Sequence, residues 1–135
     1  MRFLPPNQGN RRRRIAGWLT AIYLLFIFVL SSIPGDRLSI PSGIDYLAHI
    51  LEFAILAFLS SYAVFVRYEA FYPYAVLCFS VAVGIVNEIY QVAIPLREPS
   101  IMDVMSDGIG AFMGIWIFAL LFEREWIDGI RNKVF

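Results

Sequence analysis

The stretch Gly43–Val66, GIDYLAHILEFAILAFLSSYAVFV, is an apolar run whose first part carries three ionisable side chains, Asp45, His49 and Glu52. It is longer than the ~20 residues that an α-helix needs to cross the roughly 30 Å hydrocarbon core of a bilayer. A helix is required because lipid cannot satisfy exposed backbone groups, and the run lacks the alternation of a barrel strand. The stretch therefore predicts a transmembrane helix that begins with polar residues.

The composition of the whole chain agrees with a membrane protein. Its 135 residues are 59% hydrophobic and 16% charged, with a mean hydropathy of +0.67, whereas soluble domains average about 45–50% apolar residues. The formal net charge of zero gives no basic signature for nucleic acid. The single cysteine, Cys78, excludes an internal disulfide framework. We predict one membrane domain over residues 1–135.

Four apolar segments divide the chain. They are residues 15–33, 46–66, 71–94 and 102–122, followed by a tail at 123–135. Each is about long enough to span a bilayer as a helix. A cleaved signal peptide is the alternative for the first segment, because Arg11–Arg14 precede it, but no small-residue cleavage site follows. The tail is either an amphipathic helix on the membrane surface or a frayed end. The sequence thus predicts an all-α integral membrane protein with four transmembrane helices.

Basic residues are distributed unequally between the two sides of these spans. One side carries Arg2, Arg11, Arg12, Arg13, Arg14, Arg67, Arg124, Arg131 and Lys133. The other side carries only Arg37 and Arg97. The positive-inside rule therefore places both termini and the tail in the cytoplasm. The expected location is the cytoplasmic (inner) membrane, with the two connections that carry Arg37 and Arg97 on the extracytoplasmic side.

These two outer connections resemble each other. Each contains Ile-Pro, an arginine and Pro-Ser-x-x-Asp, followed four residues later by an ionisable residue, His49 in the first and Asp107 in the second. The pattern S-x-x-D before an apolar run is typical of a helix cap, so Asp45 and Asp103 are either caps or site residues. The similarity also favours, as a looser hypothesis, a tandem pseudo-repeat of two helical hairpins.

Capping does not explain the deeper ionisable residues. Asp45, His49 and Glu52 share one face of an ideal helix, and Asp103 and Asp107 are likewise one turn apart. The third span adds polar residues shortly before its outer end: Asn87, Glu88 and Gln91. A buried acid costs about 2.5–3.5 kcal/mol near the bilayer centre, so facing lipid would be costly. We therefore expect these groups to converge on a polar pocket at the outer face.

This set of residues resembles the VanZ-like family of small membrane proteins. The resemblance rests on D-x-x-x-H-x-x-E-F at 45–53, N-E-x-x-Q at 87–91 and R-E-x-S-x-x-D-x-x-x-D-x-x-G at 97–110, and it covers most of the chain. The family often has lysine where this chain has Tyr46, which leaves the outer cluster more acidic here. The resemblance implies a cell-envelope role that affects susceptibility to glycopeptide antibiotics, teicoplanin in particular.

The first functional hypothesis is that the pocket binds or modifies the head group of a membrane lipid or a lipid-linked cell-wall precursor. If catalysis occurs, His49 is the candidate general acid or base, together with Glu52 and Glu88. Arg97 is expected to bind a phosphate or carboxylate, as its guanidinium geometry favours. The other candidate ligand-binding residues are Gln91, Asp45, Asp103 and Asp107. The sequence leaves open whether the protein is an enzyme.

The alternatives give the polar cluster another role. As a divalent metal site it would draw its ligands from His49, Glu52, Glu88, Asp103 and Asp107, with His49, Glu88 and Asp107 as the first choice. Their nitrogen and oxygen atoms suit Zn²⁺, Mn²⁺ or Ca²⁺, although no HExxH or paired-cysteine motif is present. As a non-catalytic binding or scaffold protein, it would use the cluster to hold its helices together. Gly110 and Gly114 form a GxxxG pattern, which allows close helix packing and offers a face for an oligomer. A transport path is not supported by polar residues on one side alone.

Overall fold

The computed structural model describes residues 6–35, 42–65 and 71–134, with side chains at 11–35, 43–64 and 71–122. Within these ranges the regular structure consists of four α-helices: α1 Pro6–Ser31, α2 Ser42–Phe65, α3 Tyr72–Gln91 and α4 Ile101–Val134. Each contains a segment long and apolar enough to cross a membrane: Arg11–Ser31, Gly43–Val64, Tyr72–Gln91 and Ile101–Phe122. The prediction of an all-α protein with four such helices is confirmed.

Proline and turn-forming residues set several helix ends. α1 ends at Ser31, shortly before Pro34. Pro73 is the second residue of α3, where its missing N–H costs no helical hydrogen bond. α3 ends at Gln91, and residues 92–94 of the predicted span form turns instead. α4 continues without a break to Val134, so the backbone of the tail at 123–134 extends this helix.

The most extensive helix contact in the bundle is between α2 and α4. α3 packs against α4 and α2, while α1 packs against α2 and, over a smaller area, against α3. Gly110 and Gly114 make the α2–α4 approach possible, because a Cβ at either position would collide with the carbonyl oxygen of Ile50 or Ala54, respectively. The glycine face proposed for an oligomer is thus in contact with α2 of the same chain. Oligomer formation stays a prediction.

The α1–α2 and α3–α4 connections lie at one end of the bundle, called the pocket end below. The Gly35 N–H donates to the Pro95 carbonyl at 3.2 Å, which ties the two connections together. The Leu96 carbonyl approaches Gly35 so closely that a Cβ there would overlap it, and Leu96 itself has a left-handed φ of 57°. At the ends of α1 and α3, the Ser32 and Tyr90 hydroxyls are 2.8 Å apart.

Apolar packing occupies the rest of the bundle. Phe53 of α2 packs with Ile27 and Leu56 beneath the pocket end. Towards the other end, Phe118 is the centre of an aromatic group. Its ring lies 4.9–6.1 Å, centroid to centroid, from four others: Phe58, Tyr62, Tyr72 and Phe122. Among the described residues, the buried ionisable and amide side chains lie at the pocket end, and the aromatic group around Phe118 lies towards the other end.

The orientation of the bundle rests on the charge comparison alone. Three of the basic residues in that comparison lie outside the described residues: Arg2, Arg37 and Arg67. The side chain of Ser42, which was expected to cap α2, also lies outside them. Cytoplasmic termini and the pseudo-repeat of hairpins both stay predictions. With cytoplasmic termini, the pocket end faces the extracytoplasmic side.

Candidate functional site

A cavity of about 280 Å³ lies at the pocket end. It is lined by Gly35, Asp45, Gln91, Leu96, Arg97, Glu98 and Asp103. Four of these residues, Asp45, Gln91, Arg97 and Asp103, are ligand-binding candidates from the sequence. The lining brings one guanidinium and one amide together with three carboxyl groups, so both anionic groups and hydrogen-bond donors can be recognised.

Arg97 is held in place by the α1–α2 connection. Its Nε donates a hydrogen bond to the carbonyl oxygen of Ile33 at 3.2 Å. Arg97 forms no ion pair within 4 Å among the described side chains, where the pair found is His49–Asp107. The two terminal nitrogens of the guanidinium therefore remain available for a bidentate contact with a phosphate or carboxylate.

His49 and Asp107 form a buried pair beneath the pocket. The Nδ1 of His49 on α2 lies 2.8 Å from Oδ1 of Asp107 on α4. Asp107 is fully buried, and its Oδ2 lies against the backbone of Gly84 on α3, where a Cβ would come within 2.6 Å of it. Asp107 is therefore the acid that orients the ring of His49. Among the described residues, Nε2 of His49 has no hydrogen-bond partner.

Ser100 caps α4, but the acid that completes the cap comes from another helix. The Ser100 hydroxyl accepts a hydrogen bond from the Met102 N–H at 3.2 Å. In a capping box, Asp103 would accept one from the Ser100 N–H. Here that N–H donates to Oε2 of Glu88 on α3 at 2.7 Å. Asp103 is therefore not part of the cap and instead lines the pocket. The sequence alone had left open whether Asp103 is a cap or a site residue.

Buried polar atoms without a hydrogen-bond partner are concentrated at this end. Among the described residues they include Glu52 Oε1, both amide atoms of Asn87, Glu88 Oε1, Asp103 Oδ1 and Asp107 Oδ2. Each unpaired buried polar group costs about 1–3 kcal/mol, and more if charged.

The candidate catalytic residues, and the first-choice metal ligands from the sequence, do not line the pocket. His49, Glu52 and Glu88 are not among the residues that line the pocket, and His49 and Glu88 are buried. Glu88 is engaged with Ser100, and Asp107 with His49. The ligand atoms that come together around His49, all within 4.8 Å of one another, belong to Asp45 and Asp103. These three residues could hold a metal ion.

Three residues that shape the site were not among the candidate site residues from the sequence. Asn87 was expected near the polar pocket but was given no role of its own, and its side chain is fully buried. Its position one turn before Gln91 was the available signal. Gly35 and Gly84 admit the Leu96 carbonyl and the Asp107 carboxylate, respectively. No local pattern identifies such glycines, because the atoms that need the space are distant in sequence.

Comparison with known proteins identifies the family. A model of the VanZ/LLP1 family matches residues 16–122, a range that contains the pocket and the buried cluster. No curated protein and no solved structure gives a significant match. Since the matched range covers most of the chain, the chain belongs to the VanZ/LLP1 family, cell-envelope proteins linked to resistance to glycopeptide antibiotics such as teicoplanin.

Proposed function

We propose that the pocket binds the head group of an envelope lipid or of a lipid-linked cell-wall precursor. The observation that supports this most directly is a cavity that combines an arginine, an amide and three carboxyl groups at the end of an apolar bundle. Its volume of about 280 Å³ is near the lower limit of roughly 300–1,000 Å³ for small-molecule pockets. That size suits a head group whose hydrocarbon chain remains outside, along the apolar helix surfaces.

The lining residues suggest what the head group contains. Arg97 binds a phosphate or carboxylate oxygen through its free terminal nitrogens. Asp45, Glu98 and Asp103 accept hydrogen bonds from hydroxyl or amine groups, and Gln91 can donate or accept. The excess of acids disfavours a purely anionic ligand. A head group with both an anionic group and sugar hydroxyls or amines fits better.

A membrane location and the family link to glycopeptide resistance support the same ligand class. A protein that binds a lipid-linked cell-wall precursor would change the amount of that precursor that is accessible to an antibiotic. In the predicted orientation, the pocket opens on the extracytoplasmic side, where glycopeptides act on the envelope.

Modification of the bound head group is an extension of this proposal. A histidine whose Nδ1 is held by a carboxylate and whose Nε2 is free has the arrangement of a general base. His49 and Asp107 have this arrangement. Ser100, which is near the pocket, serves as a helix cap, so a side-chain nucleophile next to His49 is not evident in the described residues. Binding is therefore the primary function, and His49, Glu52 and Glu88 remain candidates for catalysis.

The test is lipid retention by an arginine variant. Wild type, Arg97→Gln and Arg97→Lys would be placed in phosphatidylcholine nanodiscs with either phosphatidylglycerol or a lipid-linked cell-wall precursor, and bound lipid counted by native mass spectrometry. A charge-assisted hydrogen bond contributes about 1.5–3 kcal/mol, so Arg97→Gln should weaken retention roughly 10-fold or more. Lipid retention by Arg97→Lys should lie between that of wild type and that of Arg97→Gln.

The control is Arg14→Gln, which removes an exposed arginine from α1. It should retain lipid as wild type does. Equal retention by wild type and Arg97→Gln with both lipids would overturn head-group binding at this pocket. Retention of the precursor but not of phosphatidylglycerol would support the proposal and name the ligand.

A scaffold role is the second candidate, favoured by the hydrogen bonds that cross between helices. His49–Asp107 joins α2 to α4, and Glu88 joins α3 to the start of α4. Interhelical polar bonds in membranes contribute about 1 kcal/mol each. If the cluster only holds helices together, His49→Asn should lower thermal stability in detergent in proportion to any loss of antibiotic phenotype. A lost phenotype with an unchanged melting temperature would exclude this role.

A further inference from the structure

We propose that Asp45, His49 and Asp103 form a binding site for a divalent metal ion. One ligand atom from each lies within 4.8 Å of those of the other two. Asp45 and His49 are one turn apart on α2, and Asp103 is in the first turn of α4. His49 and Asp103 were among the metal-ligand candidates from the sequence, whereas Asp45 was not. A cation here goes beyond head-group binding and does not depend on it.

The orientation of His49 is the first observation for a metal. Its Nδ1 is 2.8 Å from Asp107, which leaves Nε2 as the nitrogen for coordination. Histidines that bind metals commonly donate their other ring N–H to a carboxylate, which fixes the tautomer and the ring direction. Asp107, fully buried and supported by Gly84, fits this positioning role.

Asp103 provides a second, independent observation. Its side chain lines the pocket, the residue is only 6% exposed, and its Oδ1 is buried without a hydrogen-bond partner among the described residues. The N–H group that normally satisfies an acid at this position of a helix is taken by Glu88. Because burying an unpaired carboxylate oxygen is costly, the position of Asp103 is best explained by a cation that it coordinates.

The donor set indicates the class of ion. One imidazole nitrogen with two carboxylates suits Zn²⁺ or Mn²⁺ better than Mg²⁺ or Ca²⁺, which prefer oxygen ligands alone. Bond lengths of about 2.0–2.2 Å place the ligands of a tetrahedral ion roughly 3.5 Å apart, so binding would draw the groups together by about an ångström. Three protein ligands leave a fourth position open, as in catalytic zinc sites.

Local charge favours a bound cation. At the pocket end, Arg97 is the one permanently cationic side chain among the described residues. The carboxyl groups there outnumber it: Asp45, Glu52, Glu88, Glu98, Asp103 and Asp107. Buried charges require a partner of opposite sign. An ion on the Asp103 side would also let an anionic group bridge it and Arg97 across the same pocket.

Metal binding can be measured with the metal alone. The protein would be purified in detergent with a histidine-free tag, stripped with EDTA and equilibrated against Zn²⁺ or Mn²⁺, with bound metal determined by mass spectrometry. We expect one ion per chain for wild type. Asp103→Asn should lower affinity by at least ~10-fold, since it removes a charged ligand, and Asp107→Asn by about 10–100-fold through loss of the orienting carboxylate.

The control is Glu123→Gln, which removes an acid from α4 about 20 residues beyond Asp103 and away from the pocket end; it should bind metal as wild type does. Because His49 is the only histidine in the chain, pulsed EPR of Cu²⁺-loaded wild type provides a readout that needs no variant. Coupling to the remote imidazole nitrogen is the expected signal. Its absence, substoichiometric binding by wild type, or equal affinity of Asp103→Asn and wild type would each overturn the metal site.

Discussion

At the scale of single residues, Asp107 shows how the site depends on small neighbours. Its carboxylate reaches His49 on α2 only because Gly84 on α3 leaves room behind it. Alanine at this position would place a Cβ 2.6 Å from Asp107 Oδ2 and 3.2 Å from its Cβ. Asp107 would then have to move, and its bond to His49 would be distorted.

Gly84→Ala should therefore lower the free energy of unfolding by about 1–3 kcal/mol, the usual cost of overpacking. Gly17→Ala is the matched control, because Gly17 is also helical and a Cβ there meets nothing within 4 Å. That variant should be as stable as wild type or slightly more stable, since alanine favours helices. Unfolding by SDS titration in detergent measures both, and equal stability of the two variants would disprove the crowding at Asp107.

A double-mutant cycle tests the His49–Asp107 bond itself. His49→Asn and Asp107→Asn each leave a buried polar partner unsatisfied, so each should cost about 1–3 kcal/mol of unfolding free energy. The double variant should cost less than the sum, with a coupling of about 1 kcal/mol. Strict additivity would show that the two side chains do not interact in the folded protein.

Single residues also show which features of the site can be predicted from the sequence and which cannot. The spacing of Asp45, His49 and Glu52 was enough to place them on one face, because helix geometry fixes that relation. Whether Asp103 was a cap or a site residue could not be decided, because the answer depends on Glu88 of another helix reaching the Ser100 N–H. Contacts of this kind depend on helix positions that no local pattern contains.

At the scale of helices, the α2–α4 contact determines the geometry of the site. It brings Asp45 and His49 of α2 next to Asp103 and Asp107 of α4. The apolar runs predicted four helices, because a spanning helix needs a fixed length of apolar sequence. They did not predict which helices are neighbours. The GxxxG pattern indicated a close contact for α4, but α2 as its partner became evident only from the structure.

Gly110→Ala should disrupt this contact. Its Cβ would collide with the carbonyl oxygen of Ile50, and because that atom belongs to the backbone, α2 and α4 would have to separate. We expect a loss of about 1–3 kcal/mol in unfolding free energy. Gly108→Ala, two residues away on α4, meets nothing within 4 Å and should be neutral. Similar stability of both variants would contradict the described helix contact.

At the scale of the whole molecule, the bundle has a polar end and an aromatic end. The two connections at the polar end are tied by Gly35 and Pro95, and the pocket lies between them. The ring cluster around Phe118 closes the other end. The positions of the ionisable residues predicted a polar pocket at one end, whereas the aromatic end and the set of residues that line the pocket became evident only from the tertiary contacts.

The predicted orientation can be tested by thiol labelling. In a Cys78→Ser background, Glu98→Cys at the pocket end should react with a membrane-impermeant maleimide in intact cells. Arg14→Cys on α1 should react only after the cells are permeabilised. The opposite pattern would place the termini outside and would remove the pocket from the extracytoplasmic side.

The most direct measurement of head-group binding is a high-resolution cryo-EM or crystallographic map of the protein in lipid with a lipid-linked cell-wall precursor. Binding at the pocket predicts density for the head group between the connections, in contact with Arg97 and Gln91, and with its hydrocarbon chain along the outside of the bundle. A well-resolved pocket that contains only water, with the precursor bound elsewhere or not at all, would contradict it.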